Sequence, residues 1–206
     1  MDERAQRAAV EAARAVSIPT LSSLMAFFKR KEKAPAEVER LDWRLLERGA
    51  VALYYKGSVL SQDLAWFRHH GYVIHELNAM SWTSPADFHV DVQRVLSFPE
   101  YYGKNLASWV DCVAEVSVPD ESGMAIVFRR YDVFAKSQPQ LAQTILDSLE
   151  TTSRRFLLTG RRLLALVQSD DPRIRFERVG AMPVTWNPRE WLDSDRGLGG
   201  AGRGVV

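Results

Sequence analysis

From residue 50 onward, apolar runs alternate with helix-like stretches in a regular order. Residues 51–56 form an apolar, β-rich run ended by Gly57. Ser61 then opens a helical pattern through Leu64, Ala65, Trp66 and Phe67, which Gly71 closes after two histidines. Residues 72–77 read as a second strand. Thr83 or Ser84 with Pro85 starts a further helix whose apolar side carries Phe88, Val92, Val95 and Leu96. A third helix is predicted over about residues 104–116. Residues 124–128 follow as a strand, 139–152 as a helix, and 163–168 as a strand stopped by Ser169-Asp170-Asp171-Pro172. Strands that alternate with helices imply parallel pairing, so the fold class is α/β.

The flanks differ from this centre. Residues 2–16 are rich in Ala, Arg and Glu and favour helix, and a second helical candidate runs through Leu24, Phe27 and Phe28. Residues 30–39, broken by Pro35, read as a linker. The first forty residues hold eight basic and six acidic side chains, the balance of a solvated helical arm. Residues 175–191 have no clear period. Residues 183–191, with Trp186 and Trp191, are expected to form a cover strand and turn at the sheet edge. The expected organisation is an N-terminal extension over 1–49, an α/β domain over 50–192 and a Gly-rich flexible tail over 193–206.

Composition narrows the function less than pattern narrows the fold. The 206 residues are 46% hydrophobic and 26% charged with a net charge of +1, so bulk charge points to neither nucleic acid nor membrane as partner. Residues 154–178 carry a local excess of +4, but no aromatic RNA-binding signature accompanies it. One cysteine, Cys112, rules out an intramolecular disulfide and fits a cytoplasmic protein. No early segment has the length and apolarity of a membrane span, and residues 1–16 lack a signal-peptide core. His69, His70, His75 and His89 have no ligand partners at zinc spacing, so no metal or cofactor is expected.

The chemistry concentrates between Phe98 and Cys112. Pro99 stops the preceding helix, and Gly103 is read as permitting a tight turn with unusual backbone angles. At about 100° per residue, Leu106, Trp109, Val110 and Val113 share one helix face and point to a core. Lys104, Ala107, Ser108, Asp111 and Glu115 share the opposite face. One reading is an amphipathic surface helix behind an aromatic turn. The other is a binding surface, because tyrosine suits interfaces and a neighbouring carboxylate can pair with a basic partner. Residues 98–121 hold Glu100, Asp111, Glu115, Asp120 and Glu121 against Lys104 alone, a local charge of −4.

The run Pro99-Glu100-Tyr101-Tyr102-Gly103, then Asn105-Leu106, then Asp111-Cys112 resembles the signature of the barstar family, intracellular inhibitors of barnase-type ribonucleases. The order of elements is similar over residues 72–168. The resemblance implies a parallel three-stranded sheet with packed helices, to which N- and C-terminal extensions are added here. It also implies a partner-binding face of Tyr101, Tyr102, Gly103, Asn105, Ala107, Ser108, Trp109, Asp111 and Glu115 that enters a ribonuclease active site. There Asp111 would stand in for RNA phosphate among the enzyme's cations, Tyr101 would pack on its catalytic residues, and Gly103 and Asn105 would shape the loop. Three positions depart from the pattern. Ala107 replaces an acidic residue often found four positions before the central Asp, Lys104 follows the glycine where glutamate is known, and the tryptophan sits at 109 rather than 110. These changes point to a different cognate ribonuclease, or to a weaker interaction, rather than to tight inhibition of barnase itself. The rival reading is an interaction module on the same fold, favoured by Ala107. An enzyme ranks last, since no paired acid and base, phosphate loop or activated nucleophile is present.

Overall fold

A continuous apolar run is what a strand buried on both faces requires, and the two most apolar runs of the chain become the centre of the sheet. The computed structural model describes residues 40–119 and 122–198, so the helical readings over 2–16 and 20–28, the 30–39 linker, and Asp120 and Glu121 lie outside the described residues. Helix α1 (Leu41–Leu46) leads into β1 (Val51–Tyr54), α2 (Gly57–His69), β2 (Val73–Asn78), α3 (Pro85–Val95) and α4 (Leu106–Glu115). Then follow β3 (Met124–Arg129), α5 (Tyr131–Ser137), α6 (Pro139–Leu158), β4 (Leu163–Gln168) and β5 (Thr185–Trp186). All strand pairs are parallel, in the order β2-β3-β4-β1-β5. The sheet therefore has five strands, not three. β2, β3 and β4 come from residues 72–168, and β1 and β5 join from either side of that span. Every residue of β4 is buried, and so are all but the last of β3.

Two layers cover the sheet. On one face Val51, Leu53, Ile126, Phe128, Ala165 and Val167 meet α3 to α6 through Phe88, Val92, Trp109, Phe134, Ile145 and Leu149. On the other, Ala52, Tyr54, Val127 and Leu166 meet Leu45 of α1 and Leu60, Leu64 and Phe67 of α2. Below the strands the Asp42 carboxylate accepts from the Tyr72 hydroxyl at 2.6 Å, and Arg162 Nε donates to the same hydroxyl at 2.9 Å. Gly123 sits beside this cluster because nothing larger fits: a Cβ there would lie 2.5 Å from the Tyr72 ring and 2.6 Å from the Arg162 carbonyl.

Several boundaries move. Helix α2 begins at Gly57 rather than Ser61, α6 continues to Leu158, and α5 is an additional helix whose Tyr131 and Phe134 fill the core. Residues 193–196, assigned above to the tail, form a 3-10 turn. Arg196 is the reason, since its buried guanidinium donates to the carbonyls of Pro172, Glu190 and Trp191 and to Asp193. No described helix is long and apolar enough to cross a membrane.

Candidate functional site

The loop before α4 and the helix itself are held from beneath. Asn105 caps the helix: its Oδ1 accepts from Ser108 N–H at 2.9 Å while Ser108 Oγ accepts from Asn105 N–H at 3.2 Å. Such a cap is worth about 1 kcal/mol. Asn105 Nδ2 also donates to the Gly103 carbonyl at 3.2 Å. The unusual backbone is at Lys104 (φ 51°), not at Gly103, which corrects the expected turn. Space is tight at Gly103, because a Cβ there would lie 3.0 Å from the Asn105 amide that closes the loop and would push it by a few tenths of an ångström.

Tyr102 and Trp109 belong to this foundation rather than to a surface. Tyr102 is 4% exposed and shares a 2.5 Å hydrogen bond with His89 Nδ1, with its ring 5.0 Å from Phe98. Burial pushes the Tyr102 hydroxyl well above its usual range, so it stays protonated. Trp109 is fully buried against Phe88 at 5.1 Å, and its indole N–H donates to Ser148 Oγ of α6 at 2.9 Å. Neither side chain can present itself to a partner, which corrects their inclusion in the binding set. The helical period explains it: Trp109 and Val113 turn inward one turn apart. His89, Gln93 and Ser148 support the loop and went unnoticed in sequence. His89 lies beside Phe88 on an amphipathic helix, and that context was the available signal.

What remains outside is a compact polar strip. Tyr101 is 75% exposed, and Gly103, Lys104, Asn105, Ala107, Asp111 and Glu115 are also exposed, with Ser108 half-buried. Tyr101 donates its hydroxyl to Glu115 Oε2 at 3.2 Å. The Glu115 charge and this bond raise the phenol pKa, so Tyr101 remains a donor. Asp111 makes no hydrogen bond or ion pair among the described residues and carries its charge free to solvent. The neighbouring Cys112 thiol is pushed up by burial and by Glu115 and Asp111, which keeps it protonated and unreactive. Asp111, Glu115 and the exposed Glu100 outweigh Lys104, leaving the described strip acidic. Among the described residues, no three His, Cys, Asp or Glu side chains converge as metal ligands. Chemically, the strip can hold a cationic partner surface by an unpaired carboxylate, with an exposed aromatic ring beside it.

Residues 72–168 match the family described as Barstar (barnase inhibitor), a span of just under half the chain that contains the whole strip. No curated protein matches the chain.

Proposed function

We propose that the barstar-family domain at residues 72–168 inhibits a ribonuclease of the barnase type by covering its active site with the Tyr101–Glu115 strip. The observation that carries this reading is Asp111, an exposed and unpartnered carboxylate on a helix whose opposite face is locked into the core. A short carboxylate on a helix held by the core has few side-chain rotamers to lose on binding, and its charge is available to cations that otherwise hold RNA phosphate. Complementary fields also speed the encounter. The protein acts by occupancy, without a catalytic step, and works in the cytoplasm. We take residues 50–192 as the domain that presents the strip, because β1 and β5 complete its sheet.

The experiment is an RNA-cleavage assay with the full chain and a panel of barnase-family ribonucleases, including any encoded beside its gene. At least one enzyme should be blocked at near-stoichiometric protein. Absence of inhibition at micromolar protein across the panel would remove this reading. It would favour the second one, a module that binds some other protein, for which the exposed Ala107 in place of an acid is the supporting feature.

A further inference from the structure

The chain leaves β1 into α2, whose Leu60, Leu64 and Phe67 pack on one face of the sheet. It leaves β4 into a segment whose Ile174, Phe176 and Val184 pack against the opposite face. β1 and β4 are neighbours. Adjacent parallel strands that send their chains to opposite sides open a crevice beyond their C-terminal ends, the position where open α/β sheets bind ligands. A cavity of about 590 Å³ lies there, bounded by Leu53 near the end of β1, Trp186 at the end of β5, and Arg173, Arg175 and Phe176 after β4. Its size falls within the range of small-molecule sites.

The lining has a specific chemistry. Arg173 and Arg175 are exposed, and neither guanidinium has a hydrogen bond or ion pair among the described residues. A third arginine at the cavity, Arg196, is committed elsewhere: it pairs with Asp193 at 2.5 Å and lies 4.6 Å over the Trp186 ring. Arg196 thereby neutralises the carboxylate of the lining and holds the indole in place, so the lining keeps an excess of two arginine charges, with the Asp171 carboxylate near Arg173 just outside it. Of the backbone N–H groups just before α2, those of Tyr55 and Lys56 are already taken, donating to the Glu190 carboxylate at 2.9 and 2.6 Å. Within the lining, an incoming anion meets Arg173 and Arg175.

We infer that this cavity is a binding site for a nucleoside phosphate, with Arg173 and Arg175 on the phosphate and Trp186 and Phe176 against the base. Guanidinium forks match phosphate oxygens, and aromatic walls accept a planar ring. The nucleotide is either free or the phosphorylated end of an RNA chain. No residue of the Tyr101–Glu115 strip lines the cavity, so the two sites are tested separately.

The test is calorimetric titration of the full chain, with the Trp186 indole N–H followed by NMR. The titrants are 5′-AMP, 5′-UMP, adenosine, inorganic phosphate and a short RNA with or without a 5′-phosphate. A mononucleotide should bind saturably and at least about tenfold tighter than adenosine or phosphate alone, which each supply half of the contacts. The surface variant Arg173→Ala/Arg175→Ala should lose at least about tenfold in affinity with its melting temperature unchanged. Tighter binding of the phosphorylated RNA would identify a chain end as the natural ligand, and tighter mononucleotide binding a free nucleotide. The inference is overturned if nothing saturates below about 5 mM. It is also overturned if the double variant binds equally well, or if phosphate alone matches the nucleotide.

Discussion

Tyr101 and Glu115 lie fourteen residues apart and meet through a 3.2 Å hydrogen bond that ties the loop to the last turn of α4. The bond spans the strip on which Asp111 is displayed, and it fixes the orientation of an aromatic ring that is otherwise in solvent. Tyr101→Phe removes the bond and keeps the ring. Its unfolding free energy should stay within about 0.5 kcal/mol of the parent, as for a surface change. Its affinity for the inhibited ribonuclease should fall, because the ring must then be ordered during binding. Denaturant unfolding and inhibition titrations read the two quantities; equal inhibition by both proteins would show that the bond plays no part in presenting the ring.

Asp111 separates binding from folding more sharply. Asp111→Ala should leave the melting curve unchanged, since the carboxylate has no partner to lose. If it is the central anion, ribonuclease binding should weaken by about 2–5 kcal/mol. A variant that inhibits as well as the parent would place the anchor elsewhere on the strip. Ala107→Asp adds a carboxylate one helical turn before Asp111, and against a basic active site it should tighten the complex.

The pH dependence of stability should carry a contribution from His89. Burial, with a smaller effect from Lys104, holds its imidazole below the usual range. The unfolded chain therefore binds this proton more readily than the folded one. The stabilisation is complete above the unfolded pKa of about 6.5 and declines as pH falls below it. Melting temperatures between pH 8 and pH 5 should drop less steeply for His89→Gln than for the parent, once both are referred to pH 8. Parallel curves would mean that the ring next to Tyr102 titrates alike in both states.

Gly123→Ala tests the close approach below the sheet. The added methyl meets the Tyr72 ring and the Arg162 backbone, and the second of these cannot rotate away. Overpacking of this kind destabilises by about 1–3 kcal/mol, measurable as a lower urea midpoint with an unchanged slope. An unaltered midpoint would mean that β3 and β4 can separate there at no cost.

Much of the centre was legible because its signals are local. The apolar runs at 124–128 and 163–168 and the Ser84-Pro85 helix start each carry their own instruction. The outward position of Ala107, Asp111 and Glu115 likewise follows from the helical period. The partners of these elements were not local. That β1 lies beside β4, more than a hundred residues later, is decided by which edge remains free when β2, β3 and β4 have paired. Tyr102 is a related case. An aromatic residue is suited both to an interface and to a core. The helical period alone turns Trp109 inward, towards Ser148, whereas for Tyr102 only the presence of His89 at hydrogen-bond distance settles the matter. The positive φ at Lys104 was hidden by the glycine next to it, which serves the Asn105 amide instead.

The lateral pairing of β1 with β4 bears on how this protein can be cut. A fragment trimmed to residues 72 and 168 would keep the strip intact, yet it would turn an interior strand into an outer one. The six residues of β4 would then offer a bare row of amide and carbonyl groups, and Ala125, Val127, Leu164 and Leu166 would lose the roof that α1 and α2 provide. An unguarded apolar strand of that kind is a template for pairing with another copy of itself. The stretch that matches the family and the stretch that completes the sheet are thus of different lengths, and the second must reach back through β1.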